Sequence, residues 1–255
     1  MQQAKHETMS NMGQEKVVGV LGGMGPEATV DFMSKVIART NAINASHDTA
    51  CADQDHIRML IDHNPRIPNR HEAIKGSGED VGAFLADMAT RLESAGADFL
   101  VMVCNTAHAF QTDIQQAAKI PFVSIIDEVI AELKNTQPQN TKVGVMAAQG
   151  CLDAELYQKA LTEAGFQLIV WSGEELAEFM DTVYQIKSGN TDEKIKQAML
   201  SLANILIDKG AEVVLAGCTE IPIVLHQDSL SVPMLSSTDI LVDRVIDYSL
   251  GNISL

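Results

Sequence analysis

Positive charge, aromatic side chains and cysteine are all scarce in this sequence. Its 255 residues include 18 Lys and Arg against 34 Asp and Glu, which gives a formal net charge of −16. Because such an acidic surface repels phosphate backbones, we expect no nucleic-acid partner. An anionic ligand would need a site that supplies its own positive charge. The aromatic fraction is 4%, but 46% of the residues are hydrophobic, which is enough for a packed core and excludes a disordered chain.

Long apolar runs are also missing. No uncharged stretch reaches about 18 residues, the length that a membrane-spanning helix needs, and the first 16 residues carry no apolar segment typical of signal peptides. The four cysteines, Cys51, Cys104, Cys151 and Cys218, form no Cys-x-x-Cys pair, which argues against a disulfide framework and a zinc site. We therefore expect a cytoplasmic protein with free thiols, no bound metal and no membrane partner.

What the sequence does contain is a regular alternation of short apolar runs and longer amphipathic stretches. The apolar runs, which are rich in Val and Leu and predict buried strands, are 17–22, 99–103, 142–146 and 212–217. The stretches with helical periodicity are 27–40, 79–95, 152–164, 174–187 and 192–209. Strands that alternate with helices in this way predict an α/β fold with mostly parallel sheets.

Two parts of the chain resemble each other. The matched pairs are KVVGVLGGMG (16–25) with TKVGVMAAQG (141–150), SAGADFLVMVCNTAH (94–108) with DKGAEVVLAGCTEIP (208–222), and IPFVSIIDEV (120–129) with VPMLSSTDIL (232–241). Because the three pairs follow the same order, they indicate an internal duplication. The predicted fold class is therefore α/β with two pseudo-symmetric lobes, each a mostly parallel sheet flanked by helices, and with the active site in the cleft between them.

The duplication also suggests how the chain is divided. We expect a flexible tail at 1–15, a first α/β lobe formed by 16–124 plus 229–255, and a second α/β lobe formed by 125–228. The two copies differ slightly in internal spacing, and loop insertions account for such differences.

Cys104 and Cys218 occupy equivalent positions in the two copies. Each follows an apolar strand and precedes the predicted start of a helix, and a helix N-terminus stabilises a thiolate. Ligands in open α/β sheets bind outside the carboxyl ends of the strands, so the duplication directs both thiols at one cleft. Two thiols on opposite sides of one carbon could remove a proton from one face and return one to the other. Cys51 and Cys151 have no such arrangement, and we interpret them as structural.

Several motifs resemble those of a known family. GVLGGMGPEAT (19–29), CNTAHAF (104–110), AGCTEIP (216–222) and NPRIPNR (64–70) are similar to signatures of cofactor-independent aspartate/glutamate racemases, on the aspartate racemase side. The resemblance runs from about Lys16 to Asp243. It implies a two-lobed fold, often a homodimer, and deprotonation and reprotonation at Cα by two bases without pyridoxal phosphate. One departure is Ala147-Ala148-Gln149, where many relatives have small hydroxyl residues that help to hold a carboxylate.

The resemblance and the local chemistry together indicate ten candidate site residues. Cys104 and Cys218 are the candidate acid–base residues. Arg70, in a loop stiffened by two prolines, is the candidate anchor for a side-chain carboxylate, because its fork binds carboxylates in bidentate fashion. Lys187 matches a second basic position of aspartate racemases, and Glu220 could orient or assist Cys218. The candidate donors to the α-carboxylate are the Gly23 and Met24 amides, Asn105, Thr106 and Thr219.

The preferred hypothesis is an isomerase that racemises a small acidic amino acid, aspartate or glutamate, without a cofactor. One alternative is a related cysteine-dependent isomerase of the maleate isomerase or hydantoin racemase type, and another is a two-lobed ligand-binding protein without chemistry. The motif Gly23-x-Gly25-x-x-Ala28 also fits a dinucleotide fingerprint, for which Asp48 is a loosely placed acidic partner. His108, four residues after Cys104, is either a partner for that thiol or a structural histidine.

Overall fold

The computed structural model describes residues 15–46 and 52–255. The predicted tail at 1–15, apart from its last residue, therefore lies outside the described residues, and so do Cys51 and Asp48. Within the described part, no helix is long and apolar enough to cross a bilayer.

Two four-stranded parallel sheets organise the described residues, as the duplication predicts. The strands of the first sheet are β1 (Val18–Gly22), β2 (Met59–His63), β3 (Phe99–Met102) and β4 (Phe122–Val123), in the order β2-β1-β3-β4. The strands of the second are β5 (Lys142–Met146), β6 (Gln167–Ile169), β7 (Val213–Ala216) and β8 (Met234–Ser236), in the order β6-β5-β7-β8. The sheets thus share one strand order, and the predicted two-lobed α/β fold is confirmed.

Helices cover both faces of each sheet, which is why β1, β3 and β7 are buried along their whole length and β5 is buried from its second residue onward. The helices are α1 (Pro26–Ser46), α2 (Arg70–Ile74), α3 (Val81–Ser94), α4 (Gln111–Ala117), α5 (Ile125–Thr136), α6 (Gln149–Asp153), α7 (Leu156–Glu163), α8 (Gly173–Lys187), α9 (Glu193–Asp208), α10 (Ile221–Val224) and α11 (Ser237–Leu250). Short 3-10 helices lie at Asp53–Asp55, Thr106–Phe110 and Gln227–Ser229. The helix predicted at 152–164 is instead two helices, α6 and α7, because Glu155 adopts a left-handed conformation between them.

The duplication extends to the helix caps. The Ser124 hydroxyl accepts a hydrogen bond from the Asp127 N–H at the start of α5, and the Ser236 hydroxyl accepts one from the Asp239 N–H at the start of α11. These residues hold matching places in IPFVSIIDEV and VPMLSSTDIL. A serine N-cap satisfies a backbone N–H that the helix itself leaves unpaired, so both copies begin this helix by the same means.

The last strand and the last helix connect the two lobes. β8 pairs with β7 in the second sheet, although it lies within the range 229–255 that we assigned to the first lobe. Helix α11 then packs on α1 and α5, and Arg244 forms hydrogen bonds of 2.9 Å with Glu128 and with Glu132 on α5. The exact division of the chain into lobes stays a prediction. The core is shared: one apolar cluster joins Val20 on β1 to Val145 on β5.

Candidate functional site

A cavity of about 280 Å³ lies where the ends of β3 and β7 lead into their following loops. Nine of the ten predicted site residues line it: Met24, Arg70, Cys104, Asn105, Thr106, Lys187, Cys218, Thr219 and Glu220. Gly23 is the exception. The cavity therefore brings one cysteine from each lobe together with two cations and one carboxylate, residues that lie far apart in the chain.

The two cysteines are almost completely buried at the cavity wall. Cys104 follows β3 and is 5% exposed, and Cys218 follows β7 and is 7% exposed. The helices after them are shorter than expected, because Cys104 precedes the 3-10 helix Thr106–Phe110 and Cys218 precedes the single turn of α10. Because such short helices have only a small dipole, the surrounding side chains determine whether each sulfur carries a proton.

Cys218 belongs to a buried polar cluster with Glu220 and Lys187. The Cys218 Sγ donates to Glu220 Oε2 at 3.1 Å, and Lys187 Nζ donates to Glu220 Oε1 at 2.6 Å. The Thr219 hydroxyl donates to the same Oε2 at 3.3 Å, so its hydrogen points at Glu220 and not at a ligand, contrary to our expectation for Thr219. The Glu220 side chain is only 3% exposed.

The pKa values in this cluster follow from burial and from its charges. Burial, reinforced by the Glu220 carboxylate, raises the pKa of the Cys218 thiol well above its ordinary value. Burial alone would lower the pKa of Lys187, but the attraction of Glu220 overcomes this and raises it. Lys187 is thus a charged ammonium that is already paired with Glu220.

Arg70 lies where the proline-stiffened loop enters α2. Its Nη1 donates to the carbonyl oxygens of Ile67 at 3.3 Å and of Pro68 at 3.1 Å, while the Asn69 side chain caps the helix by accepting from the His71 N–H. These bonds hold the guanidinium at the cavity wall. Since a guanidinium has five N–H donors, further donors remain on its fork for a carboxylate.

Gly23 is not a ligand donor, in contrast to our prediction. Its N–H donates to Thr29 Oγ1 at 2.8 Å, and the residue does not line the cavity. Its φ is +91°, and a Cβ added here would lie 2.5 to 2.8 Å from the Asn64 backbone, so the position requires glycine. A Cβ at Gly25 would lie 3.1 Å from Glu220 Oε1 and 3.3 Å from Lys187 Nζ. Packing thus accounts for the glycines that suggested a dinucleotide fingerprint.

Asn105 is held by a buried hydrogen-bond chain that connects the two cysteine loops. Tyr157 OH donates to Asn105 Oδ1 at 2.5 Å, Asn105 Nδ2 donates to Ser237 Oγ at 3.0 Å, and Ser237 Oγ donates to the Ala216 carbonyl at 2.9 Å. Ala216 ends β7, two residues before Cys218. Asn105 therefore has a single amide hydrogen left for a ligand, and its main contacts are internal. Sequence reasoning missed Tyr157 and Ser237, because no local pattern distinguishes them from core residues.

Replacing Tyr157 by Phe is expected to lower the free energy of unfolding by about 1–3 kcal/mol, because it leaves the buried Asn105 Oδ1 without its partner. Urea denaturation of the variant and the wild type measures this difference. Tyr184→Phe is the matched control, since Tyr184 lies at the cavity but is 50% exposed. If both substitutions lowered the free energy of unfolding equally, the stabilising role assigned to the buried hydrogen bond between Tyr157 and Asn105 would be wrong.

His108 is structural and does not pair with a thiol. The Ile125 N–H donates to His108 Nε2 at 3.1 Å, so Nε2 carries no proton and the proton sits on Nδ1, which donates to the Cys104 carbonyl at 2.8 Å. Both ring nitrogens are thus used to fix the Cys104 loop against the start of α5. Burial lowers the pKa of His108 from 6.5 to about 4, so the ring is neutral at pH 7.

This histidine predicts a loss of stability in acid. Because its folded-state pKa lies below the unfolded value, its contribution is complete above pH 6.5 and is lost as the pH falls toward about 4. One proton changes the free energy of unfolding by at most about 1.4 kcal/mol per pH unit. Urea denaturation at several pH values should show a shallower dependence for His108→Gln than for the wild type. Identical slopes would contradict the assignment of a neutral buried imidazole.

One face of α8 forms a cavity wall that sequence reasoning did not anticipate. Met180, Val183 and Tyr184 line the cavity beside Lys187, with the spacing of three and four residues that places side chains on one helix face. This periodicity was present in the sequence, but a core-facing stripe shows the same pattern. Ala148 also lines the cavity, beside this face of α8, because the neighbouring Gln149 N–H donates to Met180 Sδ at 3.3 Å. The segment Ala147-Ala148-Gln149, which the resemblance marked as a departure, therefore lies at the cavity.

Comparison with known proteins gives a consistent result. The model of a family described as Asp/Glu/Hydantoin racemase matches residues 21–245. The chain is 27% identical over 239 residues to the broad specificity amino-acid racemase RacX of Bacillus subtilis, covering 92% of this chain and 99% of that protein. It is 26% identical to the solved Picrophilus torridus aspartate racemase, with a TM-score of 0.80 and coverage of 92% and 94% of the two chains. Glutamate racemase of Francisella tularensis, solved with D-glutamate, has the same fold at 17% identity, with a TM-score of 0.62 over 94% of this chain and 82% of that one.

Proposed function

Since the chain belongs to the Asp/Glu/hydantoin racemase family, whose members are isomerases, we propose that it racemises an acidic amino acid with Cys104 and Cys218 as the two acid–base residues. The observation that carries this proposal is the position of the two thiols. They come from equivalent places in the two lobes and line one cavity. A substrate bound between them would present one face of its Cα to each sulfur.

Racemisation requires one proton to leave Cα and another to arrive on the opposite face. One cysteine, as a thiolate, takes the Cα proton, and the electron pair of that C–H bond spreads into the α-carboxylate. The other cysteine, as a thiol, gives its proton to the opposite face. Hydrogen-bond donors aimed at the carboxylate stabilise this enolate-like intermediate, and the Thr106 hydroxyl and the remaining Asn105 amide hydrogen are suited to this role.

The charges of the cavity support an acidic substrate. Among the described residues that line it, Arg70 and Lys187 are cationic and Glu220 is anionic, so that its wall has one excess positive charge before the catalytic thiolate is counted. Aspartate and glutamate carry one net negative charge at neutral pH, and this excess offsets part of the negative charge that the substrate and the thiolate bring together. Because Lys187 is paired with Glu220, Arg70 is the group best placed to hold the side-chain carboxylate.

A racemisation screen tests the proposal. The purified protein is incubated with each L-amino acid and without added cofactor, and the products are separated by chiral chromatography. We expect D-aspartate or D-glutamate to form fastest. If no amino acid racemises, the proposed reaction is wrong, and if only neutral amino acids racemise, the acidic assignment is wrong.

A further inference from the structure

The two cysteines hold equivalent positions but have different neighbours. The motif Cys104-Asn105-Thr106 in the first lobe corresponds to Cys218-Thr219-Glu220 in the second, so Glu220 replaces a neutral threonine. Glu220 is the one carboxylate among the described residues that line the cavity. The two lobes therefore differ at a charged residue, Glu220, which forms a hydrogen bond with the sulfur of Cys218 and not with that of Cys104.

The contacts of Glu220 favour a proton on Cys218. An ionised carboxylate can only accept hydrogen bonds, so the 3.1 Å contact between Cys218 Sγ and Glu220 Oε2 is made by a thiol, with sulfur as the donor. A thiolate at the same place would put two negative charges against each other in a buried site, which is costly. Lys187 Nζ donates to the other oxygen, Glu220 Oε1, at 2.6 Å, so the carboxylate already has a cationic partner and Cys218 is not its only neighbour.

The other groups around Cys218 do not reverse this preference. Lys187 attracts the thiolate form and opposes Glu220, but burial and the carboxylate together outweigh it. Tyr157 is fully buried, and burial raises its pKa well above the ordinary value, so it is neutral. Arg70 and His71 line the cavity from the first lobe, and neither is among the groups that shift the pKa of Cys218.

We propose that Glu220 is a positioning residue that keeps the proton on Cys218 in the free enzyme, so that Cys218 starts a turnover as the donor and Cys104 as the base. This inference rests on the proposed two-cysteine function. In that turnover the Cys104 thiolate takes the Cα proton and the Cys218 thiol gives its proton to the other face. Cys104 ends as a thiol and Cys218 as a thiolate, and exchange with solvent returns a proton to Cys218 and removes one from Cys104.

Alkylation of the two thiols tests the inference without substrate. The protein is treated briefly with iodoacetamide between pH 6 and pH 10, and modification of Cys104 and Cys218 is measured separately by peptide mass spectrometry. The alkylation rate of each cysteine rises with pH. In the wild type, we expect the midpoint of this rise to lie at higher pH for Cys218 than for Cys104. Glu220→Gln should lower the Cys218 midpoint by at least about one unit, which makes alkylation about tenfold faster below the midpoint.

Two controls distinguish a local effect of Glu220 on Cys218 from a general change in the structure or charge of the protein. Cys104 in the same sample should keep its midpoint, and Asp153→Asn, which also removes one negative charge but at 3.5 Å from His71, should leave Cys218 unchanged. An unchanged or raised Cys218 midpoint in Glu220→Gln would overturn the inference. If that variant does not fold, a wild-type Cys218 midpoint at or below that of Cys104 overturns it equally. Because no turnover is measured, failure of the racemase proposal would appear separately, in the substrate screen.

Discussion

Replacing Cys218 by alanine is expected to lower kcat for racemisation by about 10²–10⁴-fold, and replacing Cys104 by alanine is expected to do the same. This is the usual contribution of a positioned acid or base, and the proposed reaction needs both groups in each turnover. Each variant retains one thiol at the cavity, which by itself can act on only one face of Cα. Chiral chromatography of the reaction mixture gives the rates.

Cys151→Ala is the matched control for these substitutions. Cys151 is a buried cysteine that does not line the cavity, and burial raises the pKa of its thiol. This variant should racemise at nearly the wild-type rate. If instead either cavity cysteine can be removed without loss of activity, the two-base assignment of the cavity is wrong.

Replacing Arg70 by alanine should lower kcat/KM for aspartate or glutamate by an amount equivalent to about 2–4 kcal/mol, the scale for a charge-assisted pair that loses one partner. Arg70→Lys should recover only part of the loss, because an ammonium cannot reproduce the bidentate fork. The measurement is steady-state racemisation of acidic and neutral amino acids by the same variants. For a neutral amino acid, kcat/KM should hardly change in either variant.

The comparison of substrates matters because Arg70 also has a structural role. Its bonds to the Ile67 and Pro68 carbonyls support the loop, so that its loss could disturb the cavity for every substrate. Arg66→Ala, in the same loop but exposed and outside the cavity, controls for loop damage. Equal losses for acidic and neutral substrates in Arg70→Ala would mean that Arg70 supports the loop or holds the α-carboxylate.

The general fold and the two cysteine loops of the cavity were predictable from the repeated motifs, whereas Arg70 and Lys187 were predicted from the resemblance to a known family. The buried strands are continuous apolar runs, and the duplicated motifs place Cys104 and Cys218 at equivalent strand ends. β2 (Met59–His63) was missed because this strand is only partly buried and contains Asp62 and His63, so it lacks the continuous apolar pattern of the central strands.

Other features depend on contacts between distant residues and could not be predicted. Lys187 and Glu220 are 33 positions apart, and no local pattern shows that one neutralises the other. The same holds for Tyr157 and Asn105, 52 positions apart. Gly23 lies in the predicted turn, but its N–H is directed at Thr29 by the way that α1 follows β1. Sequence reasoning therefore anticipated which residues line the cavity better than it assigned their hydrogen-bond partners.

The asymmetry around the thiols gives the site a simple electrostatic description. Burial and Glu220 favour a neutral thiol at Cys218, and the paired Lys187 limits the cost of the buried carboxylate. Arg70 comes from the other lobe, where it is the first residue of α2. The positive charge that an acidic substrate needs is therefore concentrated in the cavity of a protein whose overall charge is −16.

Racemisation of one pure enantiomer in D₂O, stopped after a few per cent of conversion, distinguishes a two-base from a one-base reaction. Mass spectrometry then gives the deuterium content at Cα of the product and of the remaining substrate. With two thiols on opposite faces, the product enantiomer should carry deuterium while the remaining substrate keeps its hydrogen, because the proton that leaves and the one that arrives use different sulfurs. Product that retains the substrate's own hydrogen, or substrate that gains deuterium as fast as product forms, would show that one base serves both faces and would contradict the account.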